Sequence, residues 1–446
     1  MSSGQRVVDH LRRRWQGRHV GPPAPEPVAD PGDHELYRIL NFALRAGALM
    51  LASGAGTAEV EATIVELTAA CGLPGCEVDV TFTSLTVSYL RGEDVEPVTT
   101  MQVVRQRSVD FGRLSAVHRL REDLVARRLA PEEAFAALDA IVELPSRRKT
   151  VVVVGWAGMA AAFAVLLGGA ALVGAVSLVS ACLVYLAGRW LNRRGIPAYF
   201  GTALGSAIAT GFALALVAAH VSARSNLVVA GGIMVLVPGY ALVASVQDAL
   251  TGFPISAGAR GLEVLVTATG ILTGVAVVLY LAASAGLEVR LGASISTSLG
   301  DLPFQVAAAG VASALYAVAT SVPRRLVLGS AAAGALGWGV FLSLLRAGVS
   351  DIVATATAAI IIGLVGQLLA ERLRTHPFLF LVPGVMPLVP GLTIYQGMLD
   401  LFYRNPAGSP TLLRALVIGL AIAAGVILGS MAMRPMHRRR RVPARP

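Results

Sequence analysis

The sequence predicts a polytopic α-helical membrane protein of about ten transmembrane helices, built as a 5+5 inverted repeat and preceded by a small cytosolic α+β domain. Three observations carry this prediction. Of 446 residues, 55% are hydrophobic and only 14% are charged, against about 25% charged in an ordinary soluble chain. The charge is uneven: residues 1–149 are rich in Arg, Asp and Glu, and apolar runs dominate from Thr150 onward. Finally, "LVPGYALVASVQD" (236–248) and "LVPGLTIYQGMLD" (388–400) share their opening and their closing Asp. The offset is 388 − 236 = 152 residues, and Pro254 and Pro406 keep it.

Residues 1–33 read as a disordered basic and Pro-rich tail. "MSSGQRVVDHLRRRWQGRHV" has no long apolar core, so no signal peptide is expected. "GPPAPEPVADPGD" is too polar and too rich in proline to bury a face. The formal charge of +10 is carried by arginine, with Lys149 the single lysine. A basic chain raises nucleic acid as a partner. The arginines, however, cluster at the ends of apolar runs and at the termini, which is the membrane-orientation pattern. The expected partner is the lipid bilayer, with no nucleic acid. Cys71 and Cys76 form one Cys-x4-Cys pair without a second, so reduced cytosolic thiols are expected, with no metal.

Residues 34–149 read as the cytosolic domain. Leu36, Ile39, Leu40, Ala43, Leu44, Ala48 and Leu51 recur at helical spacing. "GAG" ends that helix, and Thr57 is placed to cap the next, with Glu59 and Glu61 suiting its first turn. "EVDVTFTS" alternates as a strand that "LTVSYL" continues; "RGED" turns it and "VTTMQVV" pairs back. Helices over 111–128 and 131–143 follow, the second with Pro131 in its first turn. "SGAGT" lacks the GK[ST] and the preceding strand of a phosphate loop, and no nucleophile motif appears, so no enzyme is expected here; a membrane-anchored enzyme or sensor working through residues 34–149 is the other reading.

A span needs about 20 mainly apolar residues. Ten are placed: 150–168, 170–188, 197–219, 226–246 and 262–284 in a first membrane repeat (150–284), then 302–321, 326–345, 351–370, 377–399 and 411–433 in a second (302–433). Residues 434–446 form a basic tail. With the N-terminal domain in the cytosol, inside connections hold eight arginines (Arg189, Arg193, Arg194, Arg260, Arg324, Arg325, Arg372, Arg374). Outside connections hold four (Arg224, Arg290, Arg346, Arg404). Both termini are therefore expected inside. The Pro-Gly pairs fall in spans four and nine, so an odd five-span unit repeats and must be inverted. Matching Pro/Gly-interrupted spans point to a transporter site. Span nine is expected to break twice, at 382–384 and again at "LVPG".

The candidate pathway residues are Pro238, Gly239, Pro390 and Gly391 at the breaks, with Asp248, Arg260, Glu263 and Asp400 near span ends, and Gln367, Tyr395 and Gln396 at depth. An intramembrane carboxylate is costly and marks function by default; a solvated helix end is the other reading for Asp248 and Asp400. Arg260 and Glu263 either pair with Asp248 or mark the start of span five. Gln367 and Gln396 line a path or bridge helices. The small residues of "GTALGSAIATG" (201–211) allow close helix packing. Without a Walker motif or cofactor box, a gradient-driven carrier is expected, with no cofactor.

"LMLASGAGTAEVEATIVELTAACGL", "VDVTFTSLTVS" and "LVPGYALVASVQDALTGFPISAGARGLE" together resemble the threonine/serine exporter family. "SVPRRLVLGSAAAGALGWGVF" and "PFLFLVPGVMPLVPGLTIYQGM" resemble its second half. The resemblance covers about residues 34–432. It rests on Gly54, Gly56, Thr57, Thr81, Thr83, Ser84, Pro238, Gly239, Asp248, Gly252, Arg260, Glu263, Pro323, Arg324, Arg325, Pro390 and Gly391. It implies a multi-pass exporter of threonine and serine in the bacterial inner membrane, driven by protons, with a cytosolic domain ahead of ten spans. Split-chain members of the family include exporters thought to carry small dicarboxylates. The resemblance assigns no catalytic residue and leaves a homo-oligomer open.

Overall fold

The computed structural model describes residues 32–91, 95–105, 107–145, 147–219, 225–286, 302–402 and 405–438. The expected tail up to Pro31, Arg224, Arg290, Asp301, Arg404 and residues 439–446 lie outside the described residues.

The N-terminal unit packs four helices and a sheet around one core. Helix α1 (Asp33–Ser53) buries Leu36, Leu40, Ala43, Leu44 and Leu51, the face its spacing predicted. Gly54 closes it at φ 103, where a side chain would be strained. Helix α2 (Thr57–Ala70) follows. Strands β1 (Glu77–Val80), β2 (Ser84–Tyr89) and β3 (Val98–Val103) form an antiparallel sheet in that order, with Val80 opposite Leu85 and Ser84 opposite Val103. The expectation that "LTVSYL" continues the first strand is corrected: the chain reverses between Val80 and Ser84. The Thr81 hydroxyl accepts from the Ser84 amide at 3.1 Å, and the Thr81 amide donates to the Ser84 carbonyl at 2.9 Å, which closes the turn. Helices α3 (Phe111–Val125) and α4 (Pro131–Val142) complete the unit.

The helical part contains α5 (Lys149–Leu166), α6 (Ala171–Arg193), α7 (Ala198–Ala218), α8 (Ser225–Met234), α9 (Gly239–Leu250) and α10 (Pro254–Ser284). It continues with α11 (Leu302–Ala319), α12 (Val327–Arg346), α13 (Asp351–Leu373), α14 (Phe378–Val385), α15 (Gly391–Phe402) and α16 (Gly408–Arg438). Eight of the described helices are long and apolar enough to cross a membrane. Two bent pairs, α8 with α9 at 57° and α14 with α15 at 41°, bring the number to ten if each is one broken span. Leu262, Leu265, Leu281, Leu328, Leu413 and Leu428 stand exposed on these helices, as on a surface facing hydrocarbon. Helix α10 begins at Pro254, eight residues before the expected start of span five at 262, because proline suits a first helical turn. Helix α7 meets α10 where Gly274 lies against the Ala203 backbone, the close approach that small residues permit.

Span nine breaks once, which corrects the second expectation. Pro383 sits inside α14, which runs unbroken to Val385. Proline has no N–H to give the Leu379 carbonyl one turn back. Ser330 on α12 donates to that carbonyl at 2.7 Å, so the helix keeps its path. The break comes later, through a 3-10 turn (Met386–Leu388) and Pro390.

The N-terminal unit is built onto the helices. The Phe111 amide donates to the Thr320 carbonyl at 2.9 Å, and Arg147 donates to the Val318 and Val322 carbonyls at 2.9 and 2.8 Å. These satisfy carbonyls left open where α11 ends. The Ser115 and Thr375 hydroxyls pair at 2.9 Å beyond the end of α13. The chain thus returns to the N-terminal unit at the ends of α11 and α13.

Candidate functional site

The two Pro-Gly breaks share one hydrogen-bond pattern. The Gly239 amide donates to the Val237 carbonyl at 2.8 Å, and the Gly391 amide to the Val389 carbonyl at 2.8 Å. Pro238 at φ −79 and ψ 49 closes the first of these three-residue turns. One turn on, the Leu242 amide donates to Pro238 and the Ile394 amide to Pro390, both at 2.9 Å. At the far ends, Phe253 donates to the Asp248 carbonyl and Asn405 to the Asp400 carbonyl, at 2.9 and 2.7 Å.

The breaks also face each other reciprocally. A methyl group on Gly239 would meet Val389 at 2.6 Å, and one on Gly391 would meet Val237 at 3.2 Å. Each glycine therefore packs on the valine of the other Leu-Val-Pro-Gly. The N-termini of half-helices α9 and α15 converge at this crossing. Pro238, Gly391 and Tyr395 line one small cavity there, with about 30 Å³ open to water centres. Gly239, Tyr240, Gln247, Phe378 and Val382 line a second, with about 20 Å³. Each holds roughly one or two waters, so the crossing is closed.

At its other end α9 grips the N-terminal unit. Asp248 is buried and accepts from the Thr57 amide at 3.0 Å and the Thr57 hydroxyl at 3.1 Å. Arg260, also buried, holds the same carboxylate through Nε at 2.8 Å and donates to the Ala55 carbonyl at 3.3 Å. The Tyr240 hydroxyl donates to the Gly54 carbonyl. Gly56, not Thr57, is the N-cap of α2. A glycine offers no side-chain acceptor, so Asp248 supplies the missing oxygen from 191 residues away.

A second clasp joins Glu59 on α2 and His118 on α3 to His376, with ligand atoms within 4.8 Å of one another. The His376 Nδ1 accepts from the Phe378 amide at 3.1 Å. Its Nε2 therefore carries the proton and donates to Glu59. A metal at Nε2 would move the ring proton to Nδ1 and so break the bond from the Phe378 amide, so the three groups suit a proton better than a cation. Burial, then His376 and Arg121, pull His118 down to about 3, so it is neutral near pH 7. Burial and the nearby Glu132 push Cys71 up to about 11, far from a metal-binding thiolate.

Residues 41–282 match the family described as "Putative threonine/serine exporter", and residues 305–432 the one described as "Threonine/Serine exporter, ThrE". The chain belongs to the threonine/serine exporter family. A "Probable threonine/serine exporter" of Mycobacterium tuberculosis (strain ATCC 25618 / H37Rv) is 35% identical over 416 residues, 91% of this chain and 78% of the relative. The "Threonine/serine exporter" of Corynebacterium glutamicum is 32% identical over 429 residues, 94% and 87% of the two chains. No solved structure matches.

In this member of the exporter family, the residues singled out from sequence fall into three places. Pro238, Gly239, Pro390, Gly391 and Tyr395 meet at the crossing. Asp248 and Arg260 form the clasp, while Glu263 is exposed on α10. Gln367 bonds Glu371 at 3.1 Å on α13. Asp400 accepts from Asn405 at 2.9 Å, and Gln396 is half-buried on α15. Sequence reasoning missed Glu59, His118 and His376, which lie too far apart in the chain to show any spacing. Tyr240 was legible as a polar residue at membrane depth, but its bond to Gly54, 186 positions away, was not.

Proposed function

We propose that this protein is a secondary transporter, not an enzyme, that exports small amino acids of the threonine/serine kind across the bacterial inner membrane on the proton motive force. The observation that carries the reading is the reciprocal crossing of the two broken spans. Turns with the same hydrogen bonds at a 152-residue offset, each packed on the other, are what two inverted copies of one element would make. The packing partners support a five-plus-five division. Helix α5 lies on α6, α6 on α7, α7 on α10 and α9 on α10; likewise α11 lies on α12, α12 on α13, α13 on α16 and α15 on α16.

In this reading the substrate passes the crossing, where the N-termini of two half-helices favour its carboxylate. Irregular backbone is tolerated at membrane depth where it lines such a path. The N-terminal unit and the C-terminal tail lie in the cytosol, on the side with more arginine. Asp248 and Asp400 lie at opposite ends of the path. Protonation of Asp248 would loosen its bonds to Arg260 and Thr57, which ties proton binding to the grip on the N-terminal unit.

Purified protein in liposomes, given a pH gradient, is expected to move labelled threonine faster than without one. A substrate panel separates amino acids from small dicarboxylates. Transport of neither class would overturn the proposal.

A further inference from the structure

The crossing is closed, yet a polar solute needs a place to leave water before it opens. One large cavity lies on the side of the N-terminal unit, between α3 and α13, with about 760 Å³ open to water centres. That is the size of a small-molecule site, roughly 300–1,000 Å³. Its wall carries both signs of charge: Arg121 and Arg374, Glu122 and Glu371, with Gln367 and Thr375 between them. Two other cavities of this scale, one between α5, α6 and α11 and one between α6 and α7, are lined by apolar residues alone and suit lipid tails.

The charges are held in place. Arg121 is braced by Glu66 at 3.5 Å, and Glu371 by Gln367 at 3.1 Å. Arg374 ends α13 at φ 47 and ψ 61, a left-handed conformation unusual for an arginine. Such strain gathers at ligand sites. The cavity is also next to the path. Pro377 lines it, and the following residue, Phe378, lines the closed cavity beside Gly239. The His376 ring stands edge-on to Phe378, with centroids 4.9 Å apart.

We infer that this cavity is the loading vestibule for a zwitterionic α-amino acid, with its carboxylate on Arg121 and Arg374 and its ammonium on Glu371 and Glu122. Guanidinium groups grip a carboxylate through two parallel hydrogen bonds, and carboxylates grip an ammonium. Pro377 and Phe378 then separate the vestibule from the crossing. The inference rests on the exporter reading and deepens it.

The test is competition in proteoliposomes carrying labelled threonine. Threonine methyl ester lacks the carboxylate charge and N-acetylthreonine lacks the ammonium. Both are expected to compete at least tenfold less well than threonine. Arg374→Gln should raise KM for threonine about tenfold at similar maximal rate and discriminate less against the ester. Glu371→Gln should discriminate less against the N-acetyl compound. A purely structural role would leave both discriminations unmoved, and unmoved values with unchanged KM overturn the vestibule while leaving the exporter standing. Absence of transport by the unaltered protein overturns the exporter reading instead. Calorimetric binding of threonine to the solubilised protein then decides the vestibule: binding weakened by Arg374→Gln supports it, and undiminished binding rejects it.

Discussion

Asp248 has four tasks at once: it is a buried anion, the partner of Arg260, the cap of α2 and the end of a half-helix. Removing one member of a buried ion pair leaves the other charged and dry, which costs about 3–5 kcal/mol. Asp248→Asn is therefore expected to lower the thermal midpoint of the solubilised protein clearly. Adding Arg260→Met should recover part of that loss, because no charge is then stranded. A midpoint unchanged by Asp248→Asn would contradict the clasp. The sequence pointed to Asp248 because a carboxylate near the end of a span is costly, and it offered Arg260 as one partner. It concealed Thr57, since a contact between residues 191 positions apart leaves no periodic trace. Glu59 and His376 were hidden for the same reason, 317 positions apart.

At the scale of elements, amphipathic spacing placed α1, α3 and α4 to within a few residues, and apolar runs placed the eight long apolar helices and the two bent pairs. The failures were local. Strand propensity runs through Thr81 and Thr83 without pause, so the reversal at 81–84, closed by the Thr81 hydroxyl and amide, was invisible. Pro383 looked like a break because the group that receives the freed carbonyl lies on another helix. Ser330 and Leu379 are both fully buried. Ser330→Ala should cost about 1–3 kcal/mol, the penalty of a buried acceptor left unpaired. In a Pro383→Ala background the backbone N–H returns and the same Ser330→Ala should cost markedly less. Equal costs in both backgrounds, measured by thermal unfolding, would show that the carbonyl matters little.

At the scale of the molecule, the long apolar helices were legible because hydrocarbon demands them. The crossing of the breaks was not legible, since an offset of 152 residues states likeness and not contact. The N-terminal unit is tied to the ends of α11 and α13 and to α9 and α10, so motion of the half-helices has a direct handle on it. The central claim is that substrate passes where Gly239 meets Val389 and Gly391 meets Val237. A Cβ on Gly239 would lie 3.3 Å from the Val389 Cβ, near the ~3.5–4.5 Å that a disulfide spans. The decisive measurement is threonine exchange by Gly239→Cys/Val389→Cys protein, lacking Cys71, Cys76 and Cys182, in proteoliposomes before and after oxidation. Oxidation is expected to stop exchange and a reductant to restore it. Undiminished exchange by fully cross-linked protein would contradict the account.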